Sequence, residues 1–237
     1  MARRSRMQKE FARIPRGDVP RSSFDLSEKH LTTFDAGLLI PFYWDYRYPG
    51  DVERVSVEAF LRMSSPLDFP LMDNATVTVQ WYSCALRNLW DNFRKFFGEQ
   101  IDPGDSIDYT IPIISTGGGG VPSQSVADYL GCPIALNPGN VDVSALPFRA
   151  YRFMYDYWHR DQNLIDTKGF PTDDGPDSNA DVGWFDTPLR RGKRHDYFTS
   201  CLPSPQKHDA VDLPLGTKAI IRSDESAADQ PTIYSEI

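Results

Sequence analysis

A chain of 237 residues that is 40% hydrophobic and 13% aromatic can fill one large β domain or two smaller ones, which excludes wholesale disorder. Its net charge of −8 is unevenly laid out: residues 1–22 hold seven Lys/Arg against two acids, so a basic arm precedes an acidic body. Three cysteines (Cys84, Cys132, Cys201) without CxxC spacing argue against a disulfide framework and for reduced, buried thiols, and no apolar stretch nears the ~18 residues of a membrane span.

In chain order, residues 1–30 show no sustained period, with Pro15 and Pro20 interrupting any helix, and are expected to form an extended arm without a signal-peptide core. Residues 36–44 (AGLLIPFYW) form a continuous apolar run, expected as a strand buried on both faces with an edge or bulge at Pro41. Residues 54–63 alternate, with Val55, Val57, Ala59 and Leu61 on one side; Val77, Val79 and Trp81 repeat the pattern beyond a proline-rich loop. Two one-sided strands and one buried strand in about fifty residues point to an antiparallel β-sandwich.

The period then changes. Leu86, Leu89, Trp90, Phe93, Phe96 and Phe97 follow helical spacing up to Gly98, so an amphipathic helix is expected over 86–97. Ser125–Asp128 opens a short helix ending at Gly131, and Pro147 opens a longer one over 146–160, with Phe148, Tyr151, Met154, Tyr155 and Trp158 on one side. Residues 171–188 read as an acidic loop. Residues 190–207 (RRGKRHDYFTSCLPSPQK) begin with Arg190, Arg191, Lys193, Arg194 and His195, then turn β-prone at Tyr197–Thr199; residues 218–222 are a last strand candidate. The whole is read as a mainly β fold: a sandwich with long loops and inserted helices.

Motifs that could carry chemistry are weak. The glycine run 117–120 lacks the Lys-Ser/Thr of a phosphate loop, and Pro122 removes a needed donor. Residues 177–181 place oxygens at calcium-loop positions, but Val182 and Pro188 stand where Gly and Glu are required. His159, His195, His208 and Cys201 lack zinc spacing, and His195 and Cys201 are too far apart on an extended backbone to act as base and nucleophile. No catalytic residue, metal or cofactor is expected. Trp90, Phe93 and Phe97 are expected as core or subunit-contact surface; with Arg87, Arg94 and Lys95 nearby, base stacking is an alternative use.

Several phrases recur in one order: FARIPRGDVPRSSFDLS at 11–27, TTFDAGLLIPFYWDYRYPGD at 32–51, the block at 70–100, VADYLG at 126–131, ALPFRAYRFMYDYWHRDQNL at 145–164 and PLRRGKRHDYFTSCLPSPQK at 188–207. In this colinear set the chain resembles the major capsid protein of microviruses, the small single-stranded-DNA phages, in their gokushovirus branch. The resemblance implies a viral jelly-roll β-sandwich, with residues 1–30 as an inner-surface arm and 31–237 as a partial capsid domain. It implies a structural protein with no enzymatic activity, one that self-assembles into a small T=1 icosahedral shell around circular single-stranded DNA. The expected partners are further copies, packaged DNA and other virion or scaffolding proteins, with no membrane; the expected location is the virion, assembled in the host bacterial cytoplasm. Ser204 stands where the family commonly has tryptophan, and the chain is expected to be incomplete at its C-terminus.

On this reading Arg3, Arg4, Arg6, Lys9, Arg13, Arg16 and Arg21 are candidate DNA-phosphate contacts. Arg190, Arg191, Lys193, Arg194, Trp90, Phe93 and Phe97 are candidate subunit contacts, with acidic residues 173–186 of the same or an adjacent copy opposite the cations. The rival function is a stand-alone nucleic-acid-binding β domain.

Overall fold

The computed structural model describes residues 20–63, 69–70, 72, 74–116, 120–134 and 141–193, and the backbone of two further short strands. Packing concentrates in residues 84–193. Its centre is an antiparallel ladder of β1 (Ile113–Ser115) and β2 (Asp142–Ser144), in which Ile114 faces Val143. Ile114 and Ala145 are fully buried here. Around them gather α2 (Val126–Tyr129), α3 (Leu146–Met154) and α4 (Asn179–Val182), with Val126, Phe148, Val182 and Trp184 closing one core. A second core forms where Leu89 and Trp90 meet Leu146, flanked by Phe93, Phe153 and Phe170.

Local chemistry explains these short helices. The Ser125 hydroxyl accepts from the Asp128 amide at the start of α2, and the Asp128 carboxylate accepts from the Gln124 amide in return. Gly131, at φ +92°, follows the helix where the sequence predicts its end. Pro147 sits in the first turn of α3, where its missing N–H costs nothing. In α4 the Asp181 carboxylate accepts from both the Ser178 amide and hydroxyl, and Gly183 leaves the helix at φ +61°. A Cβ there would stand 2.5 Å from Arg152 Nη2, a side-chain end that can swing aside, so it is the left-handed backbone that favours glycine.

The long helix expected over 146–160 changes character midway. α3 ends at Met154 and the chain continues as a π turn, Tyr155–His159. The wider turn shifts the phase of the face. Phe148 and Tyr155 stay buried, but Trp158 swings out to 70% exposure and His159 goes inside in its place.

The helix expected over 86–97 is broken. A 3-10 turn, Leu86–Asn88, and the four-residue α1 (Phe93–Phe96) flank a kink at Leu89–Trp90. The Trp90 indole N–H donates to Asp174 (2.8 Å), and the Asp91 amide donates to the Thr172 carbonyl. These long-range bonds hold the kink against local helical propensity.

The expected sandwich strands behave differently again. Among the described residues the 36–44 run pairs only at Leu38, bridged to Arg190; residues 38–43 are half-buried and Trp44 is exposed, so the run is not enclosed on both faces. Residues 54–63 and 77–81 form no ladder among the described residues, and Val57 and Val79 remain 43% and 39% exposed. A strand needs a backbone partner for its donors and acceptors; Trp81 meets the rings of Phe42 and Tyr43 edge-on, but no described segment forms a ladder with either stretch. β3 (Ala219–Ile220), within the expected 218–222 strand, pairs antiparallel with β4 (Thr232–Ile233). The strand expected at 197–199, with His195, Cys201 and His208, lies outside the described residues.

Candidate assembly surface

The cationic segment is anchored by its backbone. The Leu39 amide donates to the Leu189 carbonyl (2.9 Å), the Arg191 amide to Gly37, and the Gly192 amide to His159 (2.7 Å). The Tyr151 hydroxyl ties the same two segments, accepting from the Leu189 amide and donating to the Leu39 carbonyl. Burial holds that phenol far above the ordinary tyrosine value, so it stays a neutral cross-link. Arg190 and Lys193 face outward, while Arg191 is half-buried near Tyr82 and His159. Arg194 lies outside the described residues.

The acids of 173–186 mostly serve the chain's own fold. Asp174 accepts from the Trp90 indole, the Asn92 amide and the Thr110 backbone. Burial raises its pKa, but those three donors outweigh it and leave the carboxyl below its usual value. Asp181, held low by the Ser178 hydroxyl and amide, belongs to the α4 cap. Asp177 pairs with Arg149. Within one chain, then, no described ion pair joins this loop to Arg190, Arg191 or Lys193.

Arg149 is the residue that sequence patterning missed. It is fully buried on α3, its Nε and Nη2 clamping both Asp177 carboxylate oxygens (2.7 and 2.6 Å). Its remaining N–H groups reach the carbonyls of Leu89 and Asp173. The guanidinium therefore joins the second core, through Leu89, to the loop that was considered for calcium. Asp177 and Asp181 are both committed to protein donors, and no metal-ligating cluster occurs among the described residues. The one available hint was helical phase: Arg149 lies on the same side of α3 as Leu146 and Phe153.

The three aromatic candidates part company. Trp90 is 2% exposed and Phe93 half-buried in the second core, whereas Phe97 is 65% exposed. Phe97 stands with Arg87, Arg94 and Glu99 around an open groove of about 380 Å³. Arg94 and Glu99 approach to 3.6 Å across it, both well solvated. Of the arm's candidate phosphate contacts, Arg21 alone is described: exposed, and donating to the Gly50 carbonyl (2.8 Å). Arg3, Arg4, Arg6, Lys9, Arg13 and Arg16 lie outside the described residues. Cys84 and Cys132 are free and half-buried, their thiols pushed up chiefly by burial.

This frame presents outward cations, an exposed aromatic and alternating segments outside any ladder, and no catalytic group is assembled among the described residues. The profile of the family described as "Capsid protein (F protein)" matches residues 12–236. The chain belongs to this family. Among its relatives are proteins named capsid protein VP1. That of Bdellovibrio phage phiMH2K is 39% identical over 224 residues, covering 94% of this chain and 41% of the relative. That of Chlamydia phage 1 is 34% identical, covering 87% and 37%, and that of Spiroplasma virus 4 is 32% identical, covering 89% and 39%. The resemblance to microvirus coat proteins is thereby confirmed. The chain spans about two fifths of the length of these relatives.

Proposed function

We propose that the chain is part of a structural coat subunit, one that builds a small T=1 icosahedral shell around single-stranded DNA and catalyses nothing. The observation that carries this is the family match across 12–236 together with relatives named as phage capsid proteins. The fold supplies a physical motive. Val55, Val57, Leu61, Val77, Val79 and Trp81 alternate as strand residues do yet stay exposed, as expected of segments that complete a jelly roll with polypeptide beyond the described residues. Arg190, Lys193 and Phe97, on the outside of the packed region, are the proposed contacts to neighbouring copies. Arg191 backs them, and Arg194 extends the same run. Arg3 to Arg21 are proposed to neutralise packaged phosphate, without sequence preference and with steep salt dependence.

The test is assembly. Co-expressed with polypeptide supplying the remaining length of its relatives, the chain should enter closed particles visible by electron microscopy and retain nuclease-protected DNA. A monomer that binds DNA but never enters particles would instead support the stand-alone nucleic-acid-binding reading.

A further inference from the structure

The segment carrying Arg190 and Arg191 rests on the end of the π turn, against a buried histidine. Besides the Gly192 amide bond to the His159 carbonyl, a Cβ on Gly192 would stand 2.8 Å from that same oxygen and from the Asp161 nitrogen. Backbone touches backbone there with no slack. Across the seat, Tyr82 Oη and His159 Nε2 share a 2.8 Å hydrogen bond, with the two rings edge-to-face at 5.6 Å. The other ring nitrogen, Nδ1, is buried and finds no hydrogen-bond partner among the described residues.

The charges around this ring are few. Arg191, from the seated segment, acts on both His159 and Tyr82. On the histidine's own turn, Arg160 faces Asp156 at 3.5 Å. The Asp156 carboxylate is already occupied by the Thr167 hydroxyl and the amides of Lys168 and Gly169. No carboxylate bonds the imidazole among the described residues.

We propose that His159, Tyr82 and Arg191 form an acid-released catch. With His159 neutral, the catch holds residues 189–192 and their cations on the π turn; protonation lets the segment go. A neutral imidazole has one donor and one acceptor, whereas the imidazolium has two donors. Its second N–H would be buried without an acceptor, and its charge would sit beside Arg191. Burial, and then Arg191, both push His159 below the ordinary histidine value of 6.5. The sign follows. The released state takes up the proton more readily, so the seat weakens as pH falls through that ordinary value and is unaffected at higher pH.

The experiment measures amide protection at Arg191 and Gly192 in the full chain at about pH 7.5 and about pH 5.5, corrected for intrinsic exchange. Protection should fall severalfold in the wild type and stay level in His159→Gln. His159 itself, followed by NMR, should titrate below 6.5 and shift upward in Arg191→Gln. An equal fall in His159→Gln, or a wild-type midpoint at or above 6.5, would overturn the catch. Should His159→Gln fail to fold, the wild-type and Arg191→Gln titrations decide the matter.

Discussion

A fully buried arginine is tolerable only when every donor is used, and Arg149 meets that condition through Asp177, Leu89 and Asp173. Removing the cation alone strands the Asp177 carboxylate, whose side chain is 2% exposed. Arg149→Met should therefore cost about 3–5 kcal/mol, read from a urea denaturation midpoint. Adding Asp177→Leu should recover part of that loss, since no buried charge then lacks a partner; a double-mutant cycle measures the coupling. Neither partner is conspicuous in sequence. Arg149 stands in a helix that patterning treats as aromatic on one side, and Asp177 resembles a loop acid until its counter-ion, 28 residues away, is known.

At the scale of elements, legibility follows how local the determinants are. α2 and the start of α3 were readable because Ser125, Gly131 and Pro147 act within a few residues of themselves. The break at Leu89–Trp90 and the π turn were not readable, because distant groups impose them: Asp174 and Thr172 on the first, the seated 189–192 segment on the second. The break sorts the aromatic stripe into two kinds of residue. Trp90→Ala should destabilise the chain by about 3–5 kcal/mol through the cavity it leaves. Phe97→Ala should change stability by no more than about 0.5 kcal/mol. Thermal or urea denaturation distinguishes them, and a large loss at Phe97 would place it inside a core that the geometry does not show.

Taken whole, the molecule divides into a packed region and an unsatisfied one. Strand alternation in 54–63 and 77–81 predicts a buried face, but the described residues leave those side chains exposed and form no ladder there, and sequence alone does not say whose surface would cover them. The expected sandwich is therefore visible as pattern and not as paired strands among the described residues. Val57→Asp and Val79→Asp give a direct check. Each should leave the melting temperature of the isolated chain essentially unchanged, yet suppress entry into particles when the remaining polypeptide is supplied. A marked loss of stability in the isolated chain would show that these side chains already have a home within it.

The Arg149 junction also has a bearing on time. Its guanidinium donates to nothing nearby in sequence; it waits for Leu89, 60 residues earlier, and for Asp177, 28 residues later. Closing both loops costs chain entropy before either reward is collected. The junction should thus form after the rate-limiting step, acting as a bolt shot once the door is closed. Stopped-flow measurements on Arg149→Met should show faster unfolding with an almost unaltered refolding rate.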